Sequence, residues 1–302
     1  MTDLPIVSII TPSYNQGRFI ERTILSVLTQ DYPNIEYFVL DGGSTDQTIS
    51  ILEKYRDHLM YISEPDTGQT DAINKGIRFS TGEILAYLNS DDTYPPGAVS
   101  AAVNYLINVN PDSVFVYGEG NNIDTQDVVI RRYPTEPYSL ENLIRTCIIC
   151  QPTTFWKRKV IDEVGYFNER LHYCMDYEYW IRVALKYGHL DYLPVHLGNY
   201  REYSETKSLS NRIVVHQENF VMLQETIGEI PLPWVYSYAR AIIERQILRD
   251  KSFFAEILYI IGVCMIFPFL LLRYHLRVTV DEVRWVVSKM KVVISDGCTH
   301  VS

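Results

Sequence analysis

The chain has 302 residues, of which 47% are hydrophobic and 21% charged, so it is long enough for one large globular domain with an appendage. Its formal net charge of −10 excludes nucleic acid as the main partner, because binding to a phosphate backbone needs a basic surface. A nucleotide is not excluded, since a few local groups and a metal ion are enough to hold one.

Strand-like and helix-like segments alternate in the first part of the chain. Short apolar runs predict five strands, at residues 5–10, 37–40, 60–63, 83–88 and 114–117. Apolar residues at helical spacing predict helices between them, at 19–30, 46–55 and around 72–77, the second of which is capped by Ser44 or Asp46. Short connections of this kind indicate parallel strands joined by right-handed crossovers.

Two carboxylates follow strands of this predicted sheet. Asp41 comes at the end of the second strand, and Asp91 follows the fourth, in the stretch ILAYLNSDD. Ligands of open parallel sheets bind at the carboxyl ends of the strands. We therefore expect both side chains at the same rim, where ligand and solvent meet.

The pattern is less regular between residues 125 and 210. We predict a strand at 128–133 and helical turns at 139–146 and 159–164. A helix is predicted at 176–187, with Trp180 and Ile181 on its apolar face and Gly188 as its C-cap.

The last hundred residues, 211–302, form a different region. Helices are predicted at 211–227 and 234–249, followed by the uncharged segment ILYIIGVCMIFPFLLL at 257–272, which Pro268 is expected to kink. This segment is shorter than the roughly 20 residues that span a bilayer. Basic residues surround it, and a second apolar stripe follows at Val283, Val286, Val287 and Met290.

These features favour an apolar hairpin at 253–293 that lies on a membrane surface or re-enters it. A helix buried against the rest of the chain and a true membrane span are the alternatives.

The five cysteines are an odd number without the spacing of a disulfide framework, which favours a reducing compartment. Cys147 and Cys150 form a CxxC pair for which His172 and Cys174 are possible zinc partners; two core thiols are the alternative. The N-terminal residues MTDLP lack the basic and apolar segments of a signal peptide. We therefore expect a cytoplasmic location.

Polar segments lie at the predicted strand ends. The first, TPSYNQGRFI, suits a base-and-ribose pocket or an ordinary turn, and its candidate residues are Thr11, Pro12, Tyr14 and Asn15. In the second, LDGGSTDQT, the two glycines permit close approach of a ligand, and Asp41 is placed to accept hydrogen bonds from a nucleobase.

The third polar segment is NSDD, at residues 89–92. A hard divalent cation prefers carboxylate oxygens and keeps positions for phosphate, so Asp91 is the candidate ligand of Mg²⁺ or Mn²⁺. Asn89, two residues earlier, lies on the same side of an extended chain and is a candidate for the ribose, with Ser90 beside it. Asp92 is expected to position the following loop. A solvated turn is the alternative.

In this order, the segments resemble the family 2 glycosyltransferases, the inverting nucleotide-sugar enzymes of the GT-A fold. The resemblance is carried by VSIITPSYNQGRFIERTILSVLTQDYPNIEYFVLDGGSTDQT and by EPDTGQTDAINKGIRFSTGEILAYLNSDD, and it covers roughly residues 5–205. The branch that serves bacterial O-antigen and capsule synthesis is the most similar.

The resemblance implies roles for individual residues. Asp41 matches the aspartate that holds a uracil-type base, but the next family aspartate is Gly42 here. Asn89–Ser90–Asp91 matches the aspartate-x-aspartate metal motif with its first carboxylate replaced. Asp176, in HYCMDYEYW, matches the general base at a helix start, with Met175 in place of the preceding acid. A helix cap is the alternative for Asp176.

Further positions follow from the same resemblance. Asn74 and Lys75 match a helix that leans toward the nucleotide, although an exposed helix lysine is an equal alternative for Lys75. The loop PVHLGNYREYSETKSLS supplies groups for the diphosphate: Tyr200, Arg201 and Lys207. His196 matches a histidine that completes the metal shell in some GT-A enzymes, and a packed histidine is its alternative.

We therefore expect an α/β GT-A fold, Rossmann-like with a mostly parallel sheet flanked by helices, over residues 1–210. Its nucleotide-binding half covers 1–118 and its acceptor half 119–210, and a helical C-terminal region covers 211–302. The expected reaction moves a sugar with inversion from a nucleotide-diphosphate donor, a UDP-sugar, to a saccharide acceptor.

A lipid-linked acceptor and a peripheral position at the inner face of the cell membrane are expected from the apolar hairpin. Two other functions are the alternatives. A nucleotidyltransferase would normally carry a Gly-rich, basic phosphate loop, which this N-terminus lacks. A non-catalytic nucleotide-sugar-binding or scaffold module is suggested by the replaced family acids.

Overall fold

The computed structural model describes residues 4–247 and 253–274, together with Arg284 and Val286. The described chain divides into two units. The first comprises the residues up to Thr206 except 144–146, and the second comprises 144–146 and the residues from Lys207 onward. The boundary predicted from the sequence lies at residue 210.

The first unit is built on a sheet whose strands are β1 Val7–Ser13, β2 Ile35–Asp41, β3 Met60–Ser63, β4 Ile84–Tyr87, β5 Phe115–Ile123, β6 Val129–Arg132, β7 Thr154–Lys157 and β8 Asp191–Arg201. The strand order is β3-β2-β1-β4-β7-β5-β6, and β8 pairs with β5. Strands β1 to β4 are mutually parallel, as the sequence predicts, while β7 runs antiparallel to both of its neighbours.

Seven helices of the first part of the chain flank or connect these strands: α1 Ile20–Leu28, α2 Thr48–Lys54, α3 Gln69–Phe79, α4 Ala98–Asn104, α5 Leu140–Thr146, α6 Lys159–Val164 and α7 Met175–Tyr187. A π-helical turn, Tyr105–Val109, follows α4, and a 3-10 turn, Gln151–Thr153, precedes β7. The sequence predicted neither α4 nor the strands β7 and β8.

One face of the sheet carries a large aliphatic core. Ile9, Val39 and Ala86 from three adjacent strands are buried there against Ile24 of α1 and Val99 of α4. The opposite face receives α3 at close range, because a Cβ added to Gly76 would lie 2.5 Å from Ile10. Glycine at this point therefore permits the approach of α3 to β1.

An aromatic layer attaches α7 to the same face of the sheet as α3. The Tyr87 ring meets the Phe167 ring edge-on, with centroids 5.6 Å apart. Phe167 in turn stacks on Tyr179 of α7 at 4.1 Å. The layer fixes the start of α7, and hence Asp176, relative to the end of β4.

The second unit contains α8 Lys207–Ser210, α9 Arg212–Ile227, α10 Leu232–Ile247 and α11 Phe253–Arg273. Phe220, Val235, Val263 and Phe267 lie in its core, which also buries Val286. Helix α11 continues through Pro268, where the sequence predicted a kink. The other residues of the predicted second stripe, Val283, Val287 and Met290, lie outside the described residues.

Helix α11 has one buried and one exposed apolar face. Side chains at helical spacing on the exposed face are 49%, 71%, 62% and 76% accessible: Ile261, Met265, Phe269 and Leu272. The alternative predicted from the sequence, a buried helix, therefore applies to only one of the two apolar faces. In the part of the chain that the structure describes, we find no helix with the length and apolar character to cross a membrane.

The buried side chain of His216 is expected to lower the stability of the second unit at acidic pH. It is 7% exposed beside the rings of Trp234 and Tyr238, and burial, with the nearby charge of Arg212, lowers its pKa to about 4. Between pH 6.5 and 4 the unfolded chain takes up a proton that the folded chain does not. We expect a loss of about 3 kcal/mol of stability over this window.

Urea unfolding of the full chain between pH 7 and pH 4 measures this loss, and His216→Gln should reduce it. His58→Gln, at an exposed position, serves as the control and should keep the wild-type pH dependence. The same pH dependence in His216→Gln and the wild type would contradict the assignment.

Candidate active site

The loops that follow β1 and β2 are bound to each other. The Asn15 amide donates to Ser44 Oγ at 2.7 Å, and the Thr45 amide donates to Asn15 Oδ1 at 2.9 Å. The Gly17 amide donates to Asp46 Oδ2 at 2.9 Å. Asn15 adopts a left-handed conformation, φ 52°, which asparagine tolerates better than most residues. These contacts give the carboxyl end of the sheet a fixed rim.

The structure corrects the prediction for the first loop, because β1 continues to Ser13. Thr11 is fully buried, and its hydroxyl lies 3.1 Å from the Tyr37 hydroxyl, so it is not available to a nucleoside. Pro12 lies within the strand, beyond the end of the β1–β4 pairing at Ile10, where its missing N–H breaks no ladder bond. Tyr14, 63% exposed, and Asn15 remain at the rim.

Asp41 lies beneath the glycine turn at the end of β2 and is 2% exposed. Its Oδ2 accepts hydrogen bonds from the Gly43 amide at 3.1 Å, the Ser44 amide at 2.9 Å and Ser63 Oγ at 2.7 Å. Its Oδ1 accepts from Ser44 Oγ at 2.5 Å. These hydrogen bonds stabilise the glycine turn. The contact of Asp41 with a nucleobase stays a prediction. Asp46 precedes the N-cap of α2, which is Gln47.

Asn89 is the centre of an amide network at the end of β4. Its Oδ1 accepts from Gln69 Nε2 at 2.7 Å. Its Nδ2 donates to Asp92 Oδ2 at 3.2 Å and to Gln151 Oε1 at 3.0 Å, and Gln151 Nε2 donates to the Tyr87 carbonyl at 2.8 Å. The network orients the Asn89 amide and requires a donor on the side of Asp92. Ser90, beside it, is 4% exposed.

The two adjacent aspartates have different environments. Asp92 is 1% exposed; its Oδ1 accepts from the Arg201 amide at 2.8 Å, and burial together with the charge of Asp91 raises its pKa well above the ordinary value. The Asp91 carboxylate is half-buried, accepts from the Tyr203 hydroxyl at 2.9 Å, and has a pKa that burial raises. Asp92 therefore positions the segment, and Asp91 is the more accessible carboxylate.

Arg201 lies beneath this segment and is 0% exposed. Its Nε donates to the Asp91 carbonyl and its Nη1 to the Asp124 carbonyl, each at 2.6 Å. Its Nη2 lies 2.5 Å from Asp127 Oδ1, and the guanidinium stacks 4.9 Å from the centre of the Phe19 ring. The structure thus corrects the predicted diphosphate clamp at Arg201, because this cation is enclosed by protein.

Residues 63–70, from the last residue of β3 to the second residue of α3, contact several parts of the site. Ser63 holds Asp41, and a Cβ added to Gly42 would lie 3.0 Å from the Asp66 carboxylate. The next contacts are those of Gln69 with Asn89 and of Thr70 Oγ1, which donates to the Leu171 carbonyl at 2.9 Å. Leu171 precedes Asp176. We name residues 63–70 the central segment.

Asp176 lies in the first turn of α7 and its Oδ1 accepts from the Tyr177 amide at 2.7 Å. Burial raises the pKa of the Tyr87 hydroxyl, and the charges of Asp176 and Asp92 add to this effect. The ring contacts of Tyr87 with Phe167, and of Phe167 with Tyr179, bring α7 to the face of the sheet that carries the Tyr87 side chain.

One prediction for α3 is corrected. Asn74 is 1% exposed; its Nδ2 donates to the Phe167 carbonyl at 2.9 Å and its Oδ1 accepts from the Phe167 amide at 3.1 Å. It therefore holds the segment before α7 instead of a nucleotide. Lys75 Nζ lies 3.2 Å from Glu64 and 3.3 Å from Asp71, and its predicted role with the diphosphate stays a prediction.

The structure also corrects the prediction that His196 is a metal ligand. Its Nε2 lies 2.8 Å from Asn199 Oδ1 and 3.2 Å from Asn121 Nδ2, within the β5–β8 pairing. No group of three or more His, Cys, Asp or Glu side chains suited to a metal occurs among the described residues. Among the described residues, the possible zinc partners Cys147, Cys150, His172 and Cys174 are likewise not found as such a group, and the three cysteines form no disulfide.

The two remaining candidates for diphosphate binding from the loop PVHLGNYREYSETKSLS lie in different units. Tyr200 belongs to β8 in the first unit, opposite Asn122 of β5. Lys207 begins α8 in the second unit. Their predicted role with a diphosphate stays a prediction.

Several site residues had no role assigned from the sequence: Ser63, Asp66, Gln69, Gln151 and Tyr203. Gln69 and Asp66 stand in the stretch EPDTGQTDA, so their position before α3 was a usable signal. Gln151 and Tyr203 lie in irregular segments, where neither periodicity nor spacing indicates a contact.

Asn89→Asp is expected to destabilise the first unit by about 2 kcal/mol, because a carboxylate oxygen would replace the donor that now faces Asp92 and Gln151. The free energy of unfolding in urea at pH 7 checks this. Asn108→Asp, at an exposed amide, is the control and should stay within about 0.5 kcal/mol of the wild type. An unchanged unfolding midpoint in Asn89→Asp would show that the amide orientation is not required.

Comparisons with known proteins show the family of this chain. The family model described as Glycosyl transferase family 2 matches residues 8–165 of the 302. An uncharacterized glycosyltransferase of Rickettsia typhi is 32% identical over 190 residues, which are 59% of this chain and 58% of that protein. The chondroitin synthase of Escherichia coli is 26% identical over 231 residues, 75% of this chain and 33% of that protein. The chain thus spans less than two thirds of these relatives.

Solved structures show the same fold at low identity. The mannosyltransferase PcManGT of Pyrobaculum calidifontis, in complex with GDP-Man and Mn²⁺, has a TM-score of 0.58 at 20% identity and covers 99% of this chain and 87% of its own. S. aureus TarS 1-349, in complex with UDP-GlcNAc, has a TM-score of 0.58 at 18% identity, with 88% and 83% covered. The sheet and its helices are those of the GT-A fold, and the chain belongs to glycosyl transferase family 2.

Proposed function

We propose that this chain is an inverting glycosyltransferase that moves a sugar from a nucleotide-diphosphate donor to a hydroxyl of a saccharide acceptor. The observation that carries the proposal is the central segment, whose side chains contact the Asp41 turn, the NSDD segment and the segment that leads to Asp176. These contacts support the proposal that three carboxylates, which are remote in the sequence, border one region of the first unit.

The donor lies, in this proposal, along the rim formed by the loops after β1 and β2. Tyr14 and Asn15 are available there, and Asp41 lies beneath the turn. Both solved relatives described above were captured with nucleotide sugars, one with UDP-GlcNAc and one with GDP-Man. We assign UDP as the nucleotide, from the match of Asp41 to the uracil-binding aspartate.

A divalent cation fits this site through one protein carboxylate. Asp91 is half-buried, and a single hydrogen bond, from Tyr203, engages its Oδ2. Mg²⁺ commonly binds through one or two carboxylates, substrate phosphates and water, and Asp91 with a diphosphate matches that set. Bound there, Mg²⁺ or Mn²⁺ would neutralise charge that develops on the leaving diphosphate.

Asp176 supplies the general base. The acceptor oxygen attacks the anomeric carbon from the face opposite the nucleotide, the bond between that carbon and the diphosphate oxygen breaks, and the acceptor proton passes to the Asp176 carboxylate. The products are the glycoside of inverted configuration and the nucleoside diphosphate. Asp92 and Arg201 hold the NSDD segment in place during this step.

The test is a nucleotide-release assay with a panel of UDP- and GDP-sugars, with Mn²⁺, Mg²⁺ or EDTA, and with and without saccharide acceptors. We expect release of a nucleoside diphosphate from one donor. This release should be lost in the presence of EDTA and in the Asp91→Asn variant. Release of pyrophosphate from a nucleoside triphosphate and a sugar phosphate would identify a nucleotidyltransferase instead. Calorimetric donor binding without turnover by any donor–acceptor pair would identify a binding module.

We further propose that the acceptor is lipid-linked and that α11 brings the protein to the inner face of the membrane. The support is the exposed apolar stripe of α11, with Arg273 at its end, since apolar area and basic charge together bind anionic bilayer surfaces. Tandem replacement of Met265 and Phe269 by Ser should abolish co-sedimentation of the full chain with phosphatidylglycerol vesicles.

The matched control replaces Val109 and Val128, exposed apolar residues of the first unit, by Ser, and should leave co-sedimentation unchanged. Equal partition of the α11 variant and the wild type would overturn the membrane proposal without affecting the assignment of the transfer reaction.

A further inference from the structure

The backbone and the side chain of Asp91 are held by two residues at the end of β8. Arg201 Nε donates to the Asp91 carbonyl at 2.6 Å, and the Tyr203 hydroxyl donates to Asp91 Oδ2 at 2.9 Å. A carboxylate on a fixed backbone still rotates about the bond that carries it, because the last torsion of aspartate has broad minima. The hydrogen bond from Tyr203 therefore adds what the backbone contact lacks, a defined direction for each oxygen.

Tyr203 is itself fixed by its ring and by its backbone. The centre of its ring lies 4.9 Å from that of Phe19, which also carries the Arg201 guanidinium at 4.9 Å. The Tyr203 amide donates to Thr206 Oγ1 and the Thr206 amide donates back to the Tyr203 carbonyl, each at 3.0 Å. Thr206 is 6% exposed, so this turn is anchored in the first unit. The Tyr203 hydroxyl is thus a preorganised donor that loses little conformational entropy when Asp91 binds a ligand.

The hydrogen bonds of the two adjacent aspartates identify the oxygen that is left for a ligand. Both oxygens of the buried Asp92 accept hydrogen bonds, Oδ1 from the Arg201 amide and Oδ2 from Asn89 Nδ2. In Asp91, which is half-buried, Oδ2 accepts from Tyr203. A hard divalent cation prefers a carboxylate oxygen together with phosphate oxygens and water. We therefore assign Asp91 Oδ1 to the cation.

We propose that Tyr203 is a positioning residue for the cation ligand, because its hydroxyl occupies Asp91 Oδ2 and turns Oδ1 toward the cation of the nucleotide diphosphate. Groups that hydrogen-bond a metal ligand orient it, and their loss typically lowers metal affinity by about 10- to 100-fold. The inference rests on the proposed function for the cation and the diphosphate. The hydrogen bond between Tyr203 and Asp91 is a property of the fold and does not depend on it.

Tyr203→Phe tests the proposal because it removes the hydroxyl and keeps the ring against Phe19. Titration of Mn²⁺ into the full chain in the presence of UDP, followed by calorimetry, should show an affinity for Mn²⁺ that is lower by about 10-fold or more. The affinity for UDP measured in EDTA should equal that of the wild type. An unchanged affinity for Mn²⁺ would overturn the proposal, and so would a loss of UDP affinity that is as large in EDTA as in Mn²⁺.

Tyr105→Phe is the matched control, because it also removes a hydroxyl that donates to an aspartate. Tyr105 lies in the π-helical turn after α4, and its hydroxyl donates to Asp191 Oδ1 at 3.0 Å. Asp191 begins β8, at the opposite end of the strand from Arg201. This variant should keep the wild-type affinity for Mn²⁺. An equal loss in Tyr105→Phe would show that the effect comes from general destabilisation, which contradicts a positioning role for Tyr203.

Two further outcomes separate this inference from the proposed function. The change in urea midpoint that Tyr203→Phe causes in EDTA should be smaller in the Asp91→Ala background than in the wild type, and equal changes would exclude the contact. Sugar transfer that neither EDTA nor Tyr203→Phe affects would reject the inference and leave the transfer reaction standing. Binding of Mn²⁺ and UDP that requires the Tyr203 hydroxyl, in a chain that transfers no sugar, would support the inference and reject the transferase assignment.

Discussion

Replacement of Asp176 by Asn is expected to lower sugar transfer by about 10²–10⁴-fold, because general-base catalysis contributes about that factor. The amide keeps the size of the side chain and an oxygen for the Tyr177 amide, so the start of α7 should remain intact. Donor binding should also remain, since the nucleotide rim lies at the ends of β1 and β2. Steady-state nucleotide release with donor and acceptor measures the first effect, and calorimetry with the UDP-sugar measures the second.

A suitable control is Asp162→Asn, which removes another aspartate from the first turn of a helix, α6, at an exposed position. It should retain wild-type transfer. Cys174 is the N-cap of α7, so the alternative role of Asp176 is to stabilise the first turn through its charge. If this is its only role, Asp176→Asn will lower stability by up to about 1 kcal/mol and leave turnover unchanged. That outcome would refute the general-base assignment.

Arg201→Met is expected to destabilise the first unit by about 3 kcal/mol, because two backbone carbonyls lose their charged hydrogen-bond donor inside the protein. The substitution leaves the carbonyls of Asp91 and Asp124 without these donors and removes a buried cation from beneath the NSDD segment. The free energy of unfolding in urea measures the loss. Donor binding should fall as well, because Asp91 would no longer be held in position.

Arg22→Met provides a comparison on the same carboxylate. Arg22 Nη1 lies 3.2 Å from Asp127, but its side chain is 39% exposed. Exposed ion pairs contribute little, so this variant should lose less than about 1 kcal/mol. Equal losses of unfolding free energy in the two variants would show that burial does not increase the contribution of Arg201 to stability.

The parallel part of the fold was predictable because its signals are local. Each of β1 to β4 is a short apolar run, and the helices between them show apolar residues at helical spacing. The rim position of Asp41 and Asp91 follows from the same pattern. Strand β7, with the sequence TFWK, has only two successive apolar residues, and β8 contains Pro194 and Gly198, so neither has the run of apolar residues that predicts a strand.

The errors at individual site residues have a common physical cause. Residue type showed that Asn74, Arg201 and His196 can bind a ligand, but contacts with residues distant in the chain occupy them. Asn74 binds Phe167, 93 residues away, and Arg201 binds the Asp91 carbonyl, 110 residues away. Such pairings depend on the assembled sheet and leave no periodic signal in the sequence.

The central segment has a consequence for altering specificity. In the proposed function, the central segment borders both the donor and the acceptor. Ser63 and Asp66 lie on the nucleotide side, and Thr70 contacts the segment that leads to Asp176. Substitutions in the central segment should therefore change the KM of both substrates together. Independent redesign of donor preference is better directed to Tyr14, which is exposed directly after β1 and has no part in these contacts.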